Sequence, residues 1–128
     1  MRVAVDTSFL VDIDNDMDSA WMALAELSEK AEMVLPSICL QEFLRGVPRK
    51  LMEGHSIKVR SAFVIINHDE ESAIEGAKIY RQMRREGSIP EVADGLIIGT
   101  LITNEVDTIL TRDKKGVAGV EGLEVITY

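Results

Sequence analysis

The sequence predicts an α/β fold in three layers, α/β/α, with a central, mostly parallel sheet of about five strands. Three observations predict it. Short β-branched and aliphatic runs alternate along the chain with segments whose apolar residues recur at three- and four-residue spacing. Those short runs are apolar throughout rather than alternating, as strands covered on both faces are. Hydrophobic residues make up 46% of the 128 and aromatics only 5%, which gives an aliphatic core without the help of a disulfide.

The first run, Arg2–Val5, reads as a buried strand ending at Asp6. Thr7–Asp12 opens a short helix that Thr7 or Ser8 can cap. After the acidic break Asp14–Asp18, the spacing of Ala20, Leu24, Leu27 and Ala31 predicts a helix over 19–31, capped by Asp18 or Ser19. Met33–Leu35 is a second strand, ended by Pro36. Ser37 then caps a helix with the stripe Leu40, Phe43, Leu44 and Val47, stopped by Gly46 and Pro48, and a further helical segment runs to about His55. Residues 61–66 (SAFVII) read as a third strand. Asp69 or Glu70 starts a long helix to about Arg85, closed by Gly87. Pro90 precedes a helix over 92–104, and residues 108–111 and 123–126 are the fourth and fifth strands. No repeat or Pro/Gly-rich linker interrupts the pattern, so residues 1–128 are expected to form one domain.

The 22 Asp and Glu outnumber the 14 Lys and Arg, a net charge of −8. That balance argues against passive, charge-driven coating of nucleic acid, but not against a nucleic-acid enzyme whose acids surround a cation. A single cysteine, Cys39, excludes an internal disulfide and a paired-cysteine zinc site and points to a reducing, cytoplasmic setting. Met1–Arg2 leads into a short apolar run without the shape of a signal peptide. No apolar run approaches the roughly 20 residues that cross a bilayer, so no membrane role is expected. Nucleotide-binding glycine motifs and the nucleophile-elbow motif are missing, which leaves NTPase, dinucleotide and esterase functions unsupported.

Four acids stand out by position. Asp6 and Asp113 each lie just past the end of a strand, where parallel sheets bind their ligands. Asp94 lies in line with Ile97, Ile98 and Leu101, a stripe in which an unpaired carboxylate is costly. Glu42 stands in mid-helix, off the apolar stripe. Each also has a plainer reading. Asp6 can be a turn former, Asp94 a helix cap, Glu42 a solvated acid paired with Arg45, and Asp113 a loop acid among bases. Converging carboxylates raise one another's pKa and persist where a divalent cation neutralises them. Mg²⁺ or Mn²⁺, with oxygen ligands and retained waters, suits such a set.

Taken in order, Val5-Asp6-Thr7-Ser8 with Phe9–Asp12, Gln41–Gly46, Ile89-Pro90 leading to Asp94–Thr100, and Leu110-Thr111-Arg112-Asp113 resemble the motifs of PIN-domain ribonucleases. The resemblance is greatest to the toxins of VapBC toxin–antitoxin pairs and covers nearly the whole chain. It implies a metal-dependent endoribonuclease in which Asp6, Glu42, Asp94 and Asp113 form the acidic quartet. Asp6 and Asp94 would ligate Mg²⁺ or Mn²⁺, Glu42 and Asp113 would bind the metal or its water, and Thr7 and Thr111 would support the site. It also implies in-line attack of water on phosphorus and a small antitoxin as partner. Gly116-Val117 depart from the pattern, since many relatives have a further acid and a phenylalanine there, which bears on a second metal. Glu91 is either an added carboxylate or a cap.

Arg45, Arg81, Arg85, Arg112, Lys114 and Lys115 are candidate contacts to RNA phosphates; a solvated basic face is the plainer reading. His55 and His68 have no partner at metal spacing and read as surface or turn residues. Cys39 reads as an apolar filler, and Trp21 and Met22 as core or partner contacts. Leu51, Met52, Ile57, Val59 and Phe63 crowd the segment 47–63 and predict either a homodimer face or ordinary core. Rival functions are a stand-alone RNA-processing nuclease of the same fold, a catalytically weak binding or assembly module, and an aspartyl-phosphate receiver. The receiver is disfavoured because no well-placed lysine follows a late strand and the phosphoacceptor would have to be Asp6, on the first strand.

Overall fold

The computed structural model describes residues 1–128. Five strands, β1 (Arg2–Val5), β2 (Glu32–Pro36), β3 (Val64–Ile66), β4 (Thr108–Leu110) and β5 (Glu124–Ile126), form one sheet in the order β3-β2-β1-β4-β5. Every pairing is parallel, from Val34↔Val64 through Val3↔Met33 and Ala4↔Ile109 to Ile109↔Val125. The sheet is therefore wholly, not mostly, parallel.

Six helices flank it: α1 (Thr7–Asp14), α2 (Asp18–Ser28), α3 (Ser37–Arg45), α4 (Arg49–Ala62), α5 (Glu70–Arg85) and α6 (Val92–Thr103). Consecutive residues of β1, β2 and β4 are buried, including Val3, Ala4, Val5, Val34, Leu35, Ile109 and Leu110. Since neighbouring strand residues point to opposite faces, both faces of the central strands are covered. β1 has β2 on one side and β4 on the other, so the chain changes direction across the sheet at this strand. A crevice opens at the carboxyl ends of strands flanking such a switch point.

α5 and α6 make the closest helix pair. A Cβ at Gly76 would collide with the Gly95 carbonyl, and one at Gly99 with the Ser72 carbonyl. The absence of side chains at these places lets the two backbones touch and brings the amino end of α6 to the crevice.

Several boundaries differ from the sequence expectation. Asp6, not Thr7 or Ser8, caps α1: its extended backbone leaves the carboxylate free to accept from the Phe9 N–H. Asp18 lies inside the first turn of α2, where its charge favours the helix dipole, and α2 ends at Ser28. Ser37 begins α3 from within, and its hydroxyl accepts the His68 N–H at 3.3 Å. α4 continues to Ala62, through residues expected to begin a strand, because Val59 and Phe63 fall one turn apart on its buried side. Leu51 and Ile57 stay exposed on α4, and Trp21 and Met22 on α2, so these four are not core. Both histidines are partly enclosed: His68 Nδ1 lies 2.9 Å from Thr100 Oγ1, and His55 Nε2 lies 3.3 Å from Asp14 Oδ1.

Candidate functional site

Asp6 is aimed by its capping duty. Oδ1 accepts the Phe9 N–H at 3.1 Å and the Ser8 hydroxyl at 2.7 Å, while Oδ2 accepts the Thr111 hydroxyl at 2.5 Å. Three donors on one carboxylate fix its orientation. Thr111 is fully buried and extends the β4–β5 ladder by donating its N–H to the Ile126 carbonyl at 2.9 Å. The end of β4 is thereby tied to the end of β1.

Thr7, the first residue of α1, donates its hydroxyl to Glu42 Oε1 at 3.1 Å. Glu42 is thus turned toward α1 and the crevice. Helical periodicity had set it apart from the apolar stripe, and it is only half-buried, yet it is not a free surface acid. Cys39 lies one turn before it, fully buried. Burial pushes the Cys39 thiol up to about 12, with Asp6 and Glu42 adding to the rise and a hydrogen bond with Thr7 opposing it. The thiol stays protonated and acts as filler beneath the carboxylates.

Asp94 stands in the first turn of α6. Its Oδ2 accepts the Glu91 N–H at 2.8 Å, and the Glu91 side chain accepts the Asp94 N–H in return, a capping box. Its carboxyl pKa is raised by burial first, with Glu91, Glu42 and Asp113 adding repulsion and the Glu91 amide opposing. Gly116 faces it so closely that a Cβ would stand 2.5 Å from Asp94 Oδ1. Asp113 caps the 3₁₀ turn Lys114–Gly116, Oδ1 accepting the Lys115 N–H at 3.0 Å.

Asp6, Thr7, Glu42, Asp94 and Asp113 line one cleft of about 730 Å³, together with Ser8, Glu91 and Lys115. Its walls include Met83, Ile89, Ile97 and Val117. A second depression, of about 310 Å³, sits beyond the far end of α6 over Leu101, Val106 and Leu123, with no basic group among its lining residues. The four acids picked from the sequence therefore share one cleft, and Thr111 stands behind it. Of the six basic candidates, five lie outside the cleft. Arg45, Arg81, Arg85 and Lys114 are exposed elsewhere, and Arg112 places Nε 2.9 Å from Asp12 Oδ2. The sixth, Lys115, lines the cleft. The Asp113 cap, which folds the chain back two residues on, brings it there.

The cleft offers oxygen donors and neither thiolate nor imidazole, the donor set of a hard cation. No three of the His, Cys, Asp and Glu side chains in the chain converge closely enough to cage an ion unaided. Mg²⁺ and comparable ions fit such an open arrangement, because they take one or two carboxylates and keep several waters. The mutual repulsion recorded at Asp94 is that of a cleft short of positive charge.

Comparison with known proteins agrees with this architecture. Residues 3–121 match the PIN domain model. Ribonuclease VapC1 of Methanocaldococcus jannaschii is 31% identical over 114 residues, 89% of this chain and 77% of that one. The fold superposes on VapBC2 from Rickettsia felis with a TM-score of 0.86 at 20% identity, covering 100% of this chain and 99% of the other. It also superposes on VapBC-1 from nontypeable Haemophilus influenzae (TM-score 0.82, 12% identity, 99% and 98% covered). A toxin–antitoxin complex from Klebsiella pneumoniae gives a TM-score of 0.78 at 22% identity, with 98% and 96% covered. By the family match over nearly its full length and the identity to a VapC protein, this chain belongs to the PIN domain family.

Proposed function

We propose that this protein is a divalent-metal-dependent endoribonuclease, the toxin of a type II toxin–antitoxin pair, acting through Asp6, Glu42, Asp94 and Asp113. The observation that carries the reading is that these four acids, drawn from four separate segments, line a single cleft beside the central strands. The ribonuclease assignment is supported by the relationship to Ribonuclease VapC1. An antitoxin partner is supported by the solved toxin–antitoxin complexes that share the fold. A homodimer is supported by the exposure of Leu51 and Ile57 on α4. A core running continuously from Val3 to Val117 supports one nuclease domain over residues 1–128. No helix is long and apolar enough to cross a membrane, which accords with action on RNA in the cytoplasm.

Asp6 and Asp94 would hold Mg²⁺ or Mn²⁺, with Glu42 and Asp113 completing the site directly or through water. A cation held there would supply Lewis acidity toward the phosphate and toward an attacking water. The chain's own residues do the positioning. Thr111, Ser8 and the Phe9 N–H hold Asp6 in one orientation and leave Oδ2 a lone pair for a ligand. Thr7 holds Glu42 where it can orient or accept a proton from water. The Glu91 amide fixes Asp94, and Gly116 leaves its Oδ1 side open. No nucleophilic side chain is required.

The test is a Mn²⁺ titration of the melting midpoint alongside RNA cleavage. A ligand that binds only the folded chain stabilises it by about 2.7 kcal/mol at a hundredfold excess over Kd. Asp6→Asn and Asp94→Asn should abolish cleavage and most of that gain. Glu42→Gln should keep more of the gain yet lose most of the activity. Cleavage by Glu42→Gln at the wild-type rate would remove Glu42 from the quartet, and cleavage by Asp6→Asn would remove the metal-nuclease reading altogether.

A further inference from the structure

Behind the cleft lies a second polar cluster in which none of the four acids takes part. Asp12, on α1, is 3% exposed. Its Oδ2 accepts the Tyr128 hydroxyl at 2.6 Å and Arg112 Nε at 2.9 Å. Arg112 Nη2 also reaches the Ser8 carbonyl at 3.5 Å. The Tyr128 ring meets Phe9 edge-on, centroids 5.2 Å apart at 88°. Burial, and then the bond to Asp12, raise the Tyr128 pKa, so the phenol remains a donor at any working pH.

The cluster joins three separate stretches of chain: the first two turns of α1, the loop after β4, and the second residue after β5. Its members alternate with those of the cleft. Ser8 turns its hydroxyl to Asp6 in the cleft and its carbonyl to Arg112, and Phe9, which follows it, meets Tyr128. Thr111 and Asp113 flank Arg112. An arginine drawn to Asp12 on one side of the loop leaves the residues before and after it facing the other way, where Thr111 meets Asp6 and Asp113 lines the cleft. A buried carboxylate is tolerated only when its hydrogen bonds are satisfied, so Asp12 holds Arg112 and Tyr128 in place.

We propose that Arg112 is a positioning residue. Anchored by Asp12 and Tyr128, it sets the loop 111–117, and through it the placement of Thr111 on Asp6 and of Asp113 and Lys115 at the cleft. Contact with RNA phosphate is not its role. The effect on catalysis rests on the nuclease reading above; the effect on the loop does not.

Arg112→Lys, Asp12→Asn and Tyr128→Phe in the full chain test this. Two measurements are made well below each melting midpoint: steady-state cleavage of a short RNA in Mg²⁺, and amide hydrogen exchange without metal or RNA. Arg112→Lys and Asp12→Asn should lower kcat at least tenfold with KM within twofold. Exchange should quicken at Asp113, Lys115 and Val117, whose N–H groups bond within the loop, while β1 and β2 amides keep wild-type protection. Tyr128→Phe retains the ring contact and the Asp12–Arg112 pair, so it should give a smaller change in the same direction. If Arg112 instead held RNA, Asp12→Asn would free it: KM would fall or hold, kcat would be unchanged, and Arg112→Lys would raise KM. That pattern, or unchanged loop exchange in all three variants, overturns the proposal. Should Asp12→Asn fail to fold, Arg112→Lys and Tyr128→Phe decide by the same two readouts. If the wild type cleaves no RNA, the nuclease reading fails, and loop exchange alone upholds or overturns the anchor.

Discussion

Asp94 shows how a helix cap and a ligand can be one residue. Read from the sequence, capping and function were alternatives; the carboxylate does the first with Oδ2 while Oδ1 faces Gly116 across the cleft. Its raised pKa makes the metal-free cleft a source of instability whose sign can be worked out. Burial, and then the neighbouring acids, make the folded chain hold this proton more tightly than the unfolded chain does. The favourable contribution is complete below the ordinary carboxylate value of 3.8 and is lost as pH rises through the higher folded value. Without metal, Asp94→Asn should therefore melt above wild type at pH 7, and the gap should close near pH 3. With saturating Mg²⁺ the order should reverse, because only the wild type gains binding energy. Thermal melts in EDTA and in Mg²⁺ at the two pH values check this; a variant less stable than wild type in EDTA at pH 7 would count against the account. Glu42 was harder to read. Its offset from the Leu40/Phe43/Leu44 stripe was visible, but the hydroxyl it meets is 35 positions away on α1. A pattern within one helix cannot report a partner on another.

At the scale of elements, five strands and the order of helices were legible because apolar runs and helical stripes are local signals. The junction of α4 and β3 was not. The run SAFVII has the β-branched composition of a strand, yet strand propensity reflects a pleated, half-buried setting more than the backbone itself. Residues 61 and 62 finish α4, and Val64, on the edge strand, is largely exposed. The spacing Met52, Ser56, Val59, Phe63 already held the helix, in competition with the strand signal. The α5–α6 contact was also hidden, since glycines in a helix are locally unfavourable and mean something only when the facing backbone is known. There the expectation is sharp. Gly99→Ala puts a methyl group into the Ser72 carbonyl and close to the Gly76 backbone, neither of which is a flexible chain end. It should destabilise by about 1–3 kcal/mol, the usual cost of overpacking, despite the better helix propensity of alanine. Urea unfolding with an unchanged m-value measures it; a stabilised variant would mean that the helices separate easily. The shift should also displace the amino end of α6, so cleavage should fall more than the lost stability requires.

Over the whole molecule, a net charge of −8 faces a polyanionic substrate. Beyond about 10 Å that field is screened at 0.1 M salt, so what RNA meets is decided by charges at the cleft itself. Four acids there leave Lys115 as the basic lining residue, while Arg81 and Arg85 are exposed on α5 outside it. Steering by a basic rim, which the local clusters of Arg and Lys in the sequence suggested, thus contracts to one lysine beside a cation-requiring pocket. Two consequences can be separated by salt. RNA binding should be lost in EDTA, because without a cation the cleft repels phosphate. In Mg²⁺, with a fixed RNA, Lys115→Ala should weaken binding by about 1 kcal/mol at low salt, roughly fivefold, as removal of one exposed charge contact does. Its slope of log affinity against log monovalent salt should be shallower than wild type by about 0.7, one phosphate contact on single-stranded nucleic acid. Arg112→Lys, which keeps the charge, should leave that slope unchanged even as cleavage slows. An unaltered slope in Lys115→Ala would place the phosphate contact elsewhere, and the exposed arginines of α5 would then become the next residues to test.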